Sequence, residues 1–160
     1  MNFSTLFTPA SGTAKDVLLL VARVALGIVF LAHGLQKMLT WGMPGTAAAF
    51  EGMGVPAPGL SAWFSAIVET VGGAALILGL LTPLFAALLT VNMVGALVIV
   101  HLPFGMWVMD NGYELVLALA AGAVALIAAG AGRFSLDAVL AARSTVKAAE
   151  REQVPAGAAR

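Results

Sequence analysis

The chain has 160 residues, 61% of them hydrophobic and 10% charged, with a mean hydropathy of +0.99. A soluble domain carries about a quarter charged residues and exposes only small apolar patches, so this composition excludes a water-soluble monomer and specifies an integral membrane protein. The 8 basic and 8 acidic residues cancel and leave no basic footprint for nucleic acid, while the absence of cysteine excludes disulfides, thiolate metal sites and thiol redox chemistry.

A spanning helix needs about 20 mostly apolar residues. After an N-terminal segment, residues 1–16, the first such stretch covers about 17–39 and contains Arg23, His33 and Lys37. Residues 40–59 are rich in Gly and Pro and read as an irregular connection. Within it, Thr46 to Met53 is expected as a short surface helix with Phe50 and Met53 facing lipid. The second span, about 60–81, starts at the capping residue Ser61 and holds one charge, Glu69. Thr82-Pro83 leaves almost no loop, so the second and third spans form a tight antiparallel hairpin. The third span, about 83–100, has only Asn92 as a strongly polar member. Leu102 to Gly112 then carries Pro103, Phe104 and Trp107, which with Trp41 and Trp63 form an aromatic belt on one side of the membrane. The fourth span, about 113–132, follows Asn111 as a start signal and is uncharged from Leu115 onward. Residues 133–160 read as a charged, Ala-rich helix that fades into a disordered end.

These runs are long, Leu/Ala-rich and not alternating, so they are helices and not barrel strands. The expected fold is an all-α antiparallel bundle of four transmembrane helices over residues 17–132. Lys15 precedes the first span, and Arg133, Arg143, Lys147, Arg151 and Arg160 follow the fourth, which puts both termini in the cytoplasm. The first apolar run starts late and is longer than the core of a signal peptide, so no cleavage is expected.

Ionisable groups at membrane depth are costly and usually face the bundle interior. At about 100° per residue, Arg23, His33 and Lys37 share one side with Gly27, Phe30 and Gly34. Ser65, Glu69, Gly72 and Gly73 form a small-residue face on the second span, and Glu114, Ala118, Ala121 and Ala125 form one on the fourth. Small residues let helices approach, so both faces are expected to point inward. His33, Gln36, Lys37, Glu69 and Glu114 then make one polar cluster in the outer half of the bundle. Arg23 lies nearer the cytoplasmic side, with Asp16 or backbone carbonyls of a neighbouring span as its candidate partners.

Structural readings stand beside these. Lys37 and Arg23 are long enough to snorkel to opposite headgroup layers. His101 reads as an interfacial residue, and Glu69 paired with Lys37 or His33 serves equally as a purely structural pair. No metal-binding spacing, phosphate-binding glycine motif or nucleophile elbow is present.

Arg23-x3-Gly27 followed by His33-Gly34-Leu35-Gln36-Lys37 resembles the first-helix signature of the DoxX family of four-helix bacterial membrane proteins. Gly54-Val55-Pro56, Glu69-x2-Gly72-Gly73, Leu78-Gly79-Leu80-Leu81-Thr82, Asn111-Gly112-Tyr113-Glu114 and Gly130-x-Gly132-Arg133-Phe134-Ser135-Leu136-Asp137 continue the likeness, over about residues 15 to 140. The resemblance implies a multi-pass protein of the bacterial inner membrane with redox associations, in quinone-linked oxidoreductase complexes or oxidative-stress responses. It also marks Arg23, Lys37, Glu69 and Glu114 as recurring polar positions.

The leading expectation is a quinone-linked or redox-stress-associated oxidoreductase component with a polar pocket in the outer half of the bundle. Glu69 or His33 would exchange protons, and Arg23, Lys37, Gln36, Asn92 and Glu114 would bind substrate. Quinone is the expected cofactor, and the expected partners are the bilayer, redox subunits and a second copy of the chain. Two other readings stay open: a non-enzymatic scaffold for partner subunits, and a carrier of a small solute or proton.

Overall fold

The computed structural model describes the backbone of residues 10–153 and the side chains of residues 10–145, and every regular element among them is helical. The elements are α1 (Gly12–Leu35), α2 (Gly42–Gly52), α3 (Pro58–Leu78), α4 (Thr82–Ala96), α5 (Glu114–Ala129) and α6 (Leu136–Gln153). α1 and α4 each run on into a single wide π-helical turn, Gln36–Thr40 and Leu97–His101. The continuous helical segments Gly12–Thr40, Pro58–Leu78 and Thr82–Phe104 are long and apolar enough to cross a membrane. α5 is equally apolar but shorter, with 16 residues. The end of the tail, expected to be disordered, lies outside the described residues.

Backbone contact at glycine sets the main seam. α1 and α3 pack antiparallel, and a Cβ on Gly27 would stand 2.7 Å from the Gly73 carbonyl oxygen. A Cβ on Gly73 would stand 2.5 Å from the Leu31 nitrogen. No side chain fits there, so two backbones touch, which is how helices gain dispersion energy where lipid removes the hydrophobic drive. Phe30, Leu76, Leu89, Met93, Val116 and Leu126 fill the core between α1, α3, α4 and α5.

Several expected features differ. The first helix starts at Gly12, five residues before the apolar run, because Thr13 to Asp16 are compatible with a helix although not with lipid. α3 starts at Pro58, not at Ser61, since proline's fixed φ suits a first turn; the Ser61 hydroxyl instead donates to the Pro56 carbonyl at 2.6 Å. Asn111 adopts the left-handed conformation, φ 64°, and closes a loop, so α5 starts at Glu114. The short helix expected from Thr46 to Met53 forms as α2 but starts earlier, at Gly42, packs on α3 and buries Thr46. Phe50 is half-buried and Met53 is exposed, and both side chains border a cavity.

The fourth apolar helix is turned from its expected face. Val116, Ala120, Ala123 and Leu126 are buried, whereas Ala118, Ala121 and Ala125 are exposed. α5 is apolar on every side, so small residues alone carried no orientation. Packing chose the face where Gly122 accommodates Leu26 of α1, which a Cβ would meet at 2.9 Å.

Candidate functional site

The two ends of the α1–α3 seam each hold a charged residue. At the end near the α3–α4 hairpin, Arg23 is 1% exposed. Its Nη1 donates to the Leu76 and Ile77 carbonyls at 3.0 Å each, and its Nη2 donates to the Phe134 carbonyl. The first two belong to the last turn of α3, where helical carbonyls lack partners and a cation is favoured. Asp137 completes this end. Its carboxylate accepts from Leu81 N at 2.7 Å and Thr82 N at 3.0 Å, capping α4, and its own N–H donates to the Gly79 carbonyl. Leu81 is thereby held at φ 47°, a left-handed conformation unfavourable for leucine. Arg23 thus takes the backbone carbonyls of a neighbouring helix as its partners, and Asp16 bonds Arg133 instead.

At the other end, Lys37 of the α1 π turn forms an ion pair and hydrogen bond with Glu69 Oε2. Glu69 is 3% exposed. Its other oxygen, Oε1, accepts from Asn92 Nδ2 at 2.9 Å and from the Ser65 hydroxyl at 3.1 Å. Three donors therefore hold this carboxylate, as a buried charge requires. Lys37 has three N–H donors and gives one to Glu69, so two remain for another acceptor.

The pair lies on the wall of a partly open cavity of about 310 Å3 bordered by α1, α2, α3, α4, α5 and the 105–112 loop. Phe30, Met93, Val116 and Leu119 make its apolar sides, and His33, Lys37, Ser65, Glu69 and His101 bring polar atoms to it. Both histidines contact a backbone carbonyl through Nδ1, His33 with Val29 O at 2.9 Å and His101 with Asn111 O at 2.8 Å. Nδ1 must carry the proton in such a contact, so Nε2 is the atom of each ring left for a ligand.

Of the residues expected in the cluster, His33, Lys37 and Glu69 line this cavity, and Asn92 reaches it through Glu69. Gln36 is exposed and outside it. Arg23 sits at the opposite end. Glu114 is half-buried, but its carboxylate accepts from Val108 N at 2.8 Å and ties down the 105–112 loop instead of entering the cavity. A carboxylate at the first turn of a helix is well placed for that backbone bond, and a residue-by-residue reading of helix faces misses it.

Two features escaped sequence reasoning. Thr46 is 0% exposed and donates from its hydroxyl to the carbonyls of Lys37 (2.9 Å) and Gly42 (3.0 Å). The π turn frees the Lys37 carbonyl from its usual helical partner, and Thr46 satisfies it, so α2 positions the lysine. The π turns themselves, which carry Lys37 and His101 to facing walls, are often found at functional sites and leave no periodic signal in a sequence.

The geometry defines a helical membrane protein that encloses a charged pair beside an apolar chamber. A family model described as DoxX matches residues 18–102, and the chain belongs to the DoxX family. It is 35% identical over 133 residues, covering 77% of this chain and 81% of the relative, to the "Uncharacterized membrane protein Rv3486" of Mycobacterium tuberculosis. It is 34% identical over 90 residues to the "Inner membrane protein YphA" of Escherichia coli, covering 56% of this chain and 63% of that one. Over 83 residues it is 36% identical to the "Putative oxidoreductase CatD" of Bacillus subtilis, covering 52% of this chain and 59% of that one. No solved structure matches.

Proposed function

We propose that the protein is a quinone-linked oxidoreductase component of the bacterial inner membrane, and that the cavity beside Lys37 and Glu69 receives the quinone headgroup. The carrying observation is an ion pair with spare donors on the wall of a chamber that also presents two imidazoles and an apolar side. A structural pair needs no such space.

A quinone headgroup needs donors for its oxygens and flat apolar surroundings for its ring. The two free N–H groups of Lys37 meet the first need, and Phe30, Met93 and Val116 meet the second, while the unprotonated Nε2 atoms of His33 and His101 are acceptors suited to the hydroxyl of the reduced form. The volume of about 310 Å3 falls at the lower end of ligand pockets, about 300 to 1,000 Å3. When bound, the quinone supplies the electron chemistry. The chain's part is to place the Lys37 ammonium against an oxygen and to hold that ammonium with Glu69. Imidazole both accepts and donates protons, so His33 and His101 are the groups that exchange them. The name of the Bacillus subtilis relative supplies the activity class.

In the same reading α5 is the fourth span. Its 16 residues rise about 24 Å, against a hydrocarbon core of about 30 Å, and the flanking 105–113 and 130–135 segments complete the crossing. Lys15 in the first turn of α1 and Arg133 and Arg143 after α5 favour cytoplasmic termini.

The test is purification in detergent, solvent extraction and mass analysis of bound quinone for wild type, Glu69→Gln and Lys37→Met. Quinone in the wild type and its loss from folded Lys37→Met supports the reading. Wild-type protein that carries partner subunits and no quinone overturns it in favour of a scaffold.

A further inference from the structure

A second cavity, of about 250 Å3, lies in the cleft between α3 and α4. The two helices pack tightly near their hairpin, where a Cβ on Gly72 would come within 3.1 Å of the Leu89 side chain. Toward the other end they part, and a Cβ on Gly95 would meet no atom within 4 Å. Phe64, Val91 and Ile99 stand at this opening and are 44%, 63% and 42% exposed, so the cleft opens sideways toward the hydrocarbon of the membrane.

This cleft adjoins the headgroup chamber. Phe50, Ser65, Ala96 and Val100 wall both, so movement of these side chains alone would join them. Charge distinguishes the pair. The inner chamber holds the lysine, the carboxylate and two imidazoles, whereas the cleft holds no charged group and only Ser61, Ser65 and Asn92 as polar members. Ser61 is already bonded to Pro56 O, and Asn92 to Glu69. A charged compartment beside an uncharged one that opens on the outer surface of the helices is the form expected for an amphiphile with one polar end.

We propose that the α3–α4 cleft binds the hydrocarbon chain of the molecule whose headgroup lies beside Lys37, making the protein selective for long-tailed over tailless quinones. The inference rests on the headgroup reading above. Lipid is as apolar as the cleft, so a chain entering from the bilayer gains only packing, and the expected preference is modest, roughly three- to tenfold.

The test compares a tailless quinone and its long-chain prenyl homologue by competition binding to detergent-purified wild type, Gly95→Ala, Gly95→Leu and Val91→Trp. Gly95→Leu fills open space, and Val91→Trp acts from the exposed rim, so neither disturbs a packed contact. The expected result is a roughly three- to tenfold loss of affinity for the long-chain ligand in both, unchanged tailless binding, and Gly95→Ala near wild type. Wild-type binding of both ligands with no change in either variant overturns the chain assignment alone. Failure of the wild type to bind either ligand overturns the headgroup reading and this inference with it. If mass analysis shows phospholipid lost from Gly95→Leu while quinone binding is unchanged, the cleft belongs to a lipid and the proposal falls.

Discussion

The two ends of the α1–α3 seam bury charge in opposite ways. At one, Arg23 gives both terminal nitrogens to backbone carbonyls while its Nε is buried without a partner, and Asp137 caps the adjacent helix. At the other, Lys37 meets one carboxylate, keeps two donors, and faces a chamber. Both groups are inward and both have polar partners, so depth and charge alone do not separate a structural group from a ligand-binding one. The space left beside the charge does.

That contrast can be broken by mutation. The largest effect is expected at the open end. Glu69→Gln strands the Lys37 charge and should cost about 3–5 kcal/mol, whereas Lys37→Met with Glu69→Gln removes both charges and should recover most of it. Thermal unfolding in detergent reads both, and a double variant no better than the single one would show that the pair itself holds the helices. Next, Arg23→Met leaves three carbonyls unpartnered and should cost about 3 kcal/mol while leaving quinone content per folded molecule unchanged. Lost quinone in folded Arg23→Met would erase the distinction between the ends. Asp137→Ala removes the α4 cap and should lower stability by about 1 kcal/mol, with Asp137→Ala/Leu81→Gly regaining part of it because glycine tolerates the left-handed turn. The smallest stability effect belongs to Thr46→Val, about 1 kcal/mol or less. Its signature is weaker quinone affinity, since the Lys37 backbone loses its support. Thr46→Ser should restore that affinity.

How much was legible follows from the kind of signal each residue gave. Glu69 stands in a run of Ser, Gly and Gly on one helical face, so its inward direction was readable, and Arg23 shared its face with Gly27, Phe30 and Gly34. Lys37 lay on that same side, and its pairing with Glu69 was one of two expected options. Glu114 misled because α5 is apolar all round and its alanines mark no face. Thr46 was missed because the helix expected from Thr46 onward read as a surface element, whereas tertiary packing on α3 extends it back to Gly42 and buries the threonine.

The sequence by itself determined a helical membrane protein of the DoxX type and the inward direction of its two deepest charges, Arg23 and Glu69. Composition and helical period are local properties, and a buried charge must have small neighbours and partners wherever the chain runs. Only the tertiary structure decided which charge is sealed and which borders space. That depends on where α1, α3, α4 and α5 touch and where they part, and on two π turns that re-aim Lys37 and His101. Distances between helices are set by all the packed side chains together, so no stretch of sequence states them alone.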